Sequence, residues 1–373
     1  MSDAIQERFG RLGVHVPRLL LPNQDVDLYR WAVVACDQHT SEPDYWKEVT
    51  SVVGDAPSTL RLVFPEVYLQ DPDASDRIES IQTTMRDYLA AGVVHQIEPG
   101  FVLTVRSTPH VAERNGLMLA IDLDCYDFNP GADSFIRATE RTILERLPPR
   151  VKIRKGAPME VPHVLVLIDD PDNLVFGSLS ETDPPRLYST ELMLGGGSIT
   201  GYHITGSALD TVAAALETLF SPAKDKQPFL FAVGDGNHSL ATAKEVWDEI
   251  KPSVPPDHPA RYALVEVVNL YDTGLRFEPI HRLIEVENRD RWLENLAVQT
   301  GSQVTECPVG ELRTALRHST GAVGYVAGGR SGLITLKESR ELPVTAIQEY
   351  LNRLSDVSID YVHGWDTSIQ LGA

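Results

Sequence analysis

Residues 228–250, PFLFAVGDGNHSLATAKEVWDEI, constrain the fold more than any other stretch. A strand-length apolar run, Phe229 to Val233, meets the turn Gly234-Asp235-Gly236-Asn237-His238-Ser239. It then passes directly into a helical repeat of Leu240, Ala243, Trp247 and Ile250. A strand run handing over to period-3.6 patterning within a few residues sets a strand end beside a helix start. Such joints belong to layered α/β architectures. A helix start exposes unpaired N–H groups and a partial positive charge, and glycine lets a ligand approach the backbone. Gly236, Asn237 and Ser239 are therefore candidate phosphate ligands, while His238 and Asp235 are candidate catalytic groups, Asp235 accepting a hydrogen bond or holding a metal. The same residues also suit a plain β-turn in which Asn237 or Ser239 caps the helix.

Elsewhere short apolar runs alternate with helix-period segments, which predicts a mixed α/β globular chain. Expected strands are Trp31 to Cys36, Phe101 to Val105, Leu117 to Leu123, His163 to Ile168, Phe229 to Val233 and Tyr262 to Val268. A helix is expected from Ala208 to Phe220, with Ser207 and Asp210 as a capping box, and another from Val344 to Leu354. The proline-dense run KPSVPPDHPA, residues 251–260, stops both kinds of element. It suggests a division into 1–260, a mixed α/β region carrying the DGNHS anion site, and a C-terminal α/β region, 261–373. A length of 373 residues agrees with two domains.

Charge narrows the function. The net charge of -20 repels phosphate backbones, and no helix-turn-helix with a basic face stands out, which disfavours nucleic-acid binding. Three scattered cysteines without a CxxC pair argue against a disulfide framework and a thiolate zinc site. No apolar run is long enough for a bilayer or a signal peptide, so a cytoplasmic protein without membrane partners is expected. Against this acidity, residues 137–155 hold seven arginines and lysines and only two glutamates. Arg137 and Arg141 are spaced to share a helix face, and such a patch either draws in a small anion or forms a solvated face.

Two further groups bear on catalysis. In LMLAIDLDCYDF, Asp122 and Asp124 fall on one face of an expected strand, a carboxylate pair suited to Mg²⁺, although aspartate-rich turns also form for local reasons. In WAVVACDQHTSEPDYW, Asp37 sits just past an expected strand end, where α/β proteins gather ligand groups.

GDGNHSLATAKE resembles the DGHHRxxxA segment of the domain of unknown function family numbered one thousand and fifteen. VVACDQHTSEPDYW, RATERTILERLPPR, GLRFEPIHRLIE and IDYVHG extend the resemblance along most of the chain in order. The DGHHR-type segment is in turn similar to that of the ParB/sulfiredoxin superfamily, which includes free serine kinases and nucleotide-binding ParB proteins. Its members use the segment around a nucleotide phosphate. Asp235, Gly236 and His238 match; Asn237 and Ser239 depart, so the arginine that would clamp a phosphate is absent. The resemblance favours phosphate binding by the Arg137 and Arg141 stretch and adds Arg282, in the FEPIHR motif. It implies a nucleotide-dependent phosphotransferase acting on a small hydroxylated metabolite, with free serine as the analogue and Mg²⁺ as cofactor. Asp37 or Glu140 would take the hydroxyl proton and His238 would stabilise phosphoryl charge. A phosphoserine-type ester hydrolase and a non-catalytic nucleotide sensor are the alternatives.

Overall fold

The computed structural model describes residues 3–40, 42–69, 71–129, 131–139, 147–161, 163–220, 229–275, 280–286, 288–336, 342–354 and 359–372. The chain divides into two compact units, Met1–Leu275 and Arg276–Ala373. The division falls after the proline-rich run, because YALVEVVN, the strand that follows that run, lies inside the large sheet of the first unit.

In chain order the strands of the first unit are β1 (Val14–His15), β2 (Leu20–Pro22), β3 (Val94–Gln96), β4 (Phe101–Thr108), β5 (Val111–Asp122), β6 (Tyr126–Asp127), β7 (Ile136–Ala138), β8 (Leu165–Ile168), β9 (Arg186–Leu192), β10 (Gly197–Ile204), β11 (Phe231–Asp235) and β12 (Tyr262–Asn269). Its helices are α1 (Asp3–Gly10), α2 (Leu28–Trp31), α3 (Pro43–Val53), α4 (Ala74–Ala90), α5 (Leu147–Arg154), α6 (Leu174–Ser180), α7 (Ser207–Leu219) and α8 (Asn237–Ile250). The large sheet runs β6-β7-β11-β8-β12-β5-β4-β10-β9, with β1 paired to β5. It is mixed: β12 lies parallel to β8 and antiparallel to β5.

Alternation decides which way each strand faces. Ala263, Val265 and Val267 of β12, Val166 and Ile168 of β8, and Leu117, Leu119 and Ile121 of β5 share one buried cluster. Phe9 of α1, Leu179 of α6, and Leu209, Val212 and Leu216 of α7 join it. Burying side chains of this size stabilises by roughly 1.5–3 kcal/mol each. Smaller clusters form around Trp46, Val49 and Val53 of α3 and around Ile81, Met85 and Tyr88 of α4.

Two local expectations are corrected. Trp31 to Cys36 is not a strand: Trp31 ends α2, and residues 32–35 have no regular structure. Val33 and Val34 there pack against the Trp46 cluster, so the run is apolar for packing rather than for pairing. Ser207 does not act as a capping residue, because Gly206 holds the N-cap position of α7 without a side-chain bond.

The second unit carries β13 (Ile280–Ile284) paired with β17 (Ile359–His363), and β14 (Ser302–Glu306), β15 (Ala322–Ala327) and β16 (Arg330–Leu336) in the order β14-β16-β15. Its helices are α9 (Arg289–Thr300), α10 (Val309–Arg317), α11 (Pro343–Asn352) and α12 (Trp365–Gly372). Leu296, Ile334, Ile347 and Leu351 belong to its core cluster. No described helix in either unit is long and apolar enough to cross a membrane.

Candidate functional site

The β11–α8 joint forms where the sequence places it. Gly236 takes the N-cap position in a left-handed conformation, φ +79°, and a Cβ there would stand 3.1 Å from the Val164 backbone. Only glycine meets both demands. Lacking a side chain, it leaves the first turn of α8 without a side-chain cap from the N-cap position. Asn237 is 6% exposed and its Oδ1 has no hydrogen-bond partner among the described residues. Asp235 is exposed and its Oδ1 accepts from the Gly236 N–H at 2.8 Å. His238 is half-buried in the same turn.

Beside this turn lies a cluster that joins three distant segments. His163, just ahead of β8, has Nε2 2.6 Å from Ser239 Oγ and 3.7 Å from Asp37 Oδ2. Its Nδ1 faces Cys36 Sγ at 3.6 Å. Burial, aided by Asp37 and Glu66, pushes the Cys36 thiol up to about 12, so it stays protonated. Nδ1 is thus within reach of a protonated thiol, and Nε2 and Ser239 Oγ share a hydrogen bond. A serine nucleophile with a relay would need Asp37 and Ser239 on opposite ring nitrogens. Here both approach Nε2, so the trio is a binding and positioning cluster.

Asp37 is the unusual group. Its Oδ1 is buried with no hydrogen-bond partner among the described residues. Burial raises its proton affinity, His163 opposes this, and the charges of Asp235 and Glu66 raise it further. A carboxylate so arranged is poised to take a proton.

The cluster borders a cavity of about 610 Å³, whose lining includes Cys36, Glu66, Arg150, His163 and Ser239. The rest is largely apolar, with Leu62, Phe64, Met85, Met159, Val246 and Ile250 among the lining residues. Ser239, Thr242, Val246 and Ile250 line it from one face of α8. The volume suits a ligand with an apolar body and a polar end.

The profile of one protein family matches residues 18–356, spanning the Asp37, His163 and Ser239 segments alike. The chain belongs to that family, described as Protein of unknown function (DUF1015). No curated protein and no solved structure matches the chain.

Of the other candidates, Arg137 lies on β7 rather than a helix; its Nε donates to Ser134 O at 2.8 Å and its guanidinium sits over Phe229. Glu140 and Arg141 fall outside the described residues. Later members of the basic stretch are paired: Arg150 Nε donates to Glu66 at 3.0 Å, Arg154 to Glu160 at 2.6 Å, and Lys155 to Glu249. Part of the local positive charge is thus matched by glutamates outside the stretch. Asp122 accepts from Arg261 Nη2 at 2.6 Å, and Asp124 accepts from Lys251 at 2.6 Å and Trp247 at 3.0 Å. Side-chain cations occupy the place a metal would need, and the described residues contain no group of three or more metal-ligating side chains. Arg282 belongs to the second unit, where its Nε donates to Gln348 at 2.9 Å.

His163, Cys36 and Glu66 were not among the candidates from sequence. His163 reads there as the first residue of a strand, which hides its role. The raised thiol predicts that Cys36 resists iodoacetamide at pH 8 in the native DUF1015 protein and reacts after denaturation. Peptide mapping by mass spectrometry checks this; rapid native labelling of Cys36 would contradict the buried hydrogen-bonded thiol.

Proposed function

We propose that this DUF1015 protein is a nucleotide-dependent phosphotransferase acting on a small hydroxylated metabolite, with its site at the N-terminus of α8. The observation that carries the reading is Asp37, a half-buried carboxylate with one buried, unpartnered oxygen and raised proton affinity, beside a helix N-terminus without a side-chain cap. Phosphoryl transfer calls for both: a group to take the hydroxyl proton, and donors around the phosphoryl oxygens. Asp37 takes the proton as the hydroxyl oxygen attacks the terminal phosphorus, whose bond to the bridging oxygen breaks to release the shortened nucleotide. The first-turn N–H groups and the Ser239 hydroxyl hold phosphoryl oxygens, with Ser239 set by His163. The apolar part of the cavity receives the base of the nucleotide.

Electrostatics sets a condition on that ligand. Asp37, Asp235 and Glu66 put negative charge near the same turn, which opposes a bare phosphate. A phosphate bound to Mg²⁺ meets it with the right sign. Asp122 and Asp124 are taken by Arg261 and Lys251 and do not fit the metal; Asp235, exposed at the end of β11, is the carboxylate for a hydrated Mg²⁺. Held there, Mg²⁺ would supply charge neutralisation at the phosphates.

Phosphorus NMR tests the reading on three mixtures: Mg²⁺-nucleotide with serine, Mg²⁺-nucleotide with other small hydroxylated metabolites, and phosphoserine alone. A phosphomonoester formed only with nucleotide and Mg²⁺ is the expected result. Free phosphate from phosphoserine alone would make the protein an ester hydrolase. Nucleotide binding without turnover of any mixture would make it a sensor.

A further inference from the structure

The sheet of the first unit has a second, charged face. Leu117 and Leu119 of β5 and Val265 and Val267 of β12 point into the main core, so Arg114, Gly116 and Glu266 point the other way. Arg106 of β4 stands directly opposite Arg114 in the strand register. Glu266 lies across Gly116, where a Cβ would come within 2.2 Å of Oε1; the missing side chain lets the carboxylate lie against the sheet. Its Oε2 accepts from Arg114 Nη2 at 2.8 Å, and its Oε1 accepts from Thr104 Oγ1 at 3.1 Å. One carboxylate therefore faces two guanidinium groups and bonds only that of Arg114.

Arg106 is the surplus cation. Among the described residues its side chain makes no hydrogen bond, and its buried Nε, like that of Arg114, has no partner. Burial, and then the neighbouring Arg114, lowers its proton affinity from the usual guanidinium value. The Tyr188 ring lies over Gly201, the β10 residue paired with Thr104, and its hydroxyl, pushed up to about 12 by burial and by Glu266, remains a donor. Natural folds rarely leave a half-buried guanidinium without an acceptor, because desolvation costs free energy that an anion returns.

We propose that Arg106, Arg114 and Tyr188 form a binding site for a small oxyanion, a carboxylate or phosphate group, on this face of the sheet. The planar guanidinium fork and the phenol present donors to an acceptor that no described residue supplies. The site uses none of the residues at the α8 terminus and stands apart from the phosphoryl-transfer reading.

Thermal denaturation of the full chain tests it, with inorganic phosphate and with acetate, each against chloride at equal ionic strength. Wild type is expected to gain stability with increasing concentration of at least one of them. Arg106→Met should bind that anion about tenfold more weakly or worse. Without ligand, Arg106→Met should be no less stable than wild type, since it removes a buried group that lacks a partner. Arg106→Lys retains the charge without the fork and should bind less tightly than wild type. The phosphate and acetate arms separate the two ligand classes. An equal response in wild type and Arg106→Met would put the anion elsewhere and overturn the site, as would no response to either anion. Neither result bears on phosphoryl transfer at α8, which is read by turnover.

Discussion

Asp37→Asn should lower phosphoryl transfer by roughly 10²–10⁴-fold, the usual worth of a positioned proton acceptor, while leaving nucleotide binding largely intact. Asparagine fills the same space and cannot take the hydroxyl proton. The wild-type rate should rise with pH through a midpoint above the ordinary carboxylate range, because Asp37 must be ionised to act and burial raises its proton affinity. Stability moves in the opposite direction. A carboxyl that holds its proton more tightly in the folded state contributes stability that is complete below its unfolded value. That contribution is lost as pH rises through the folded value. Asp37→Asn should therefore be at least as stable as wild type at neutral pH, with a flatter dependence between the two values. Phosphorus NMR and thermal denaturation across pH read the two effects separately. A variant that loses activity and stability together would return Asp37 to a purely structural role.

Arg261→Ala should be the most damaging change to stability, about 3–5 kcal/mol, because it strands a buried carboxylate. Asp122 is 6% exposed and accepts from both Nε and Nη2 of Arg261. Lys251 and Trp247 bond Asp124, which leaves Lys251 to compensate only one of the two carboxylates. Those bonds outweigh burial and lower the Asp124 proton affinity. The melting temperature should fall on the order of 10 °C. Adding Asp122→Asn should restore part of the loss, since the stranded charge is then gone. A fall of only a degree or two in Arg261→Ala would mean that water already solvates Asp122.

The features legible in sequence were those carried by neighbours along the chain. The apolar run ending at Val233, the glycines and the helical spacing from Leu240 to Ile250 all act within one segment, and the β11–α8 joint is where they put it. What escaped depends on distant pairs. His163 meets Ser239 and Cys36 only through the order of the sheet and the path of an irregular segment, and no spacing rule links positions 36, 163 and 239. The pairing of the basic stretch is hidden in part for the same reason: Glu66 and Glu249 reach Arg150 and Lys155 from far along the chain, while Glu160 meets Arg154 from six residues on. Trp31 to Cys36 misled differently. A short apolar run buries equally well as a strand or as irregular chain, and here the Trp46 cluster supplied the burial.

The position of β12 bears on how the large unit is made. It is the strand that joins β8 to β5, so the sheet consists of two halves until Asn269 has been synthesised. Before then β8 and β5 each present an open edge, the kind of backbone that pairs with other chains. Closing the sheet also requires contacts between residues far apart in sequence, which slows folding. A nascent chain stalled at residue 260 would therefore display both edges, and it is at that stage of translation that a chaperone would protect this protein from aggregation.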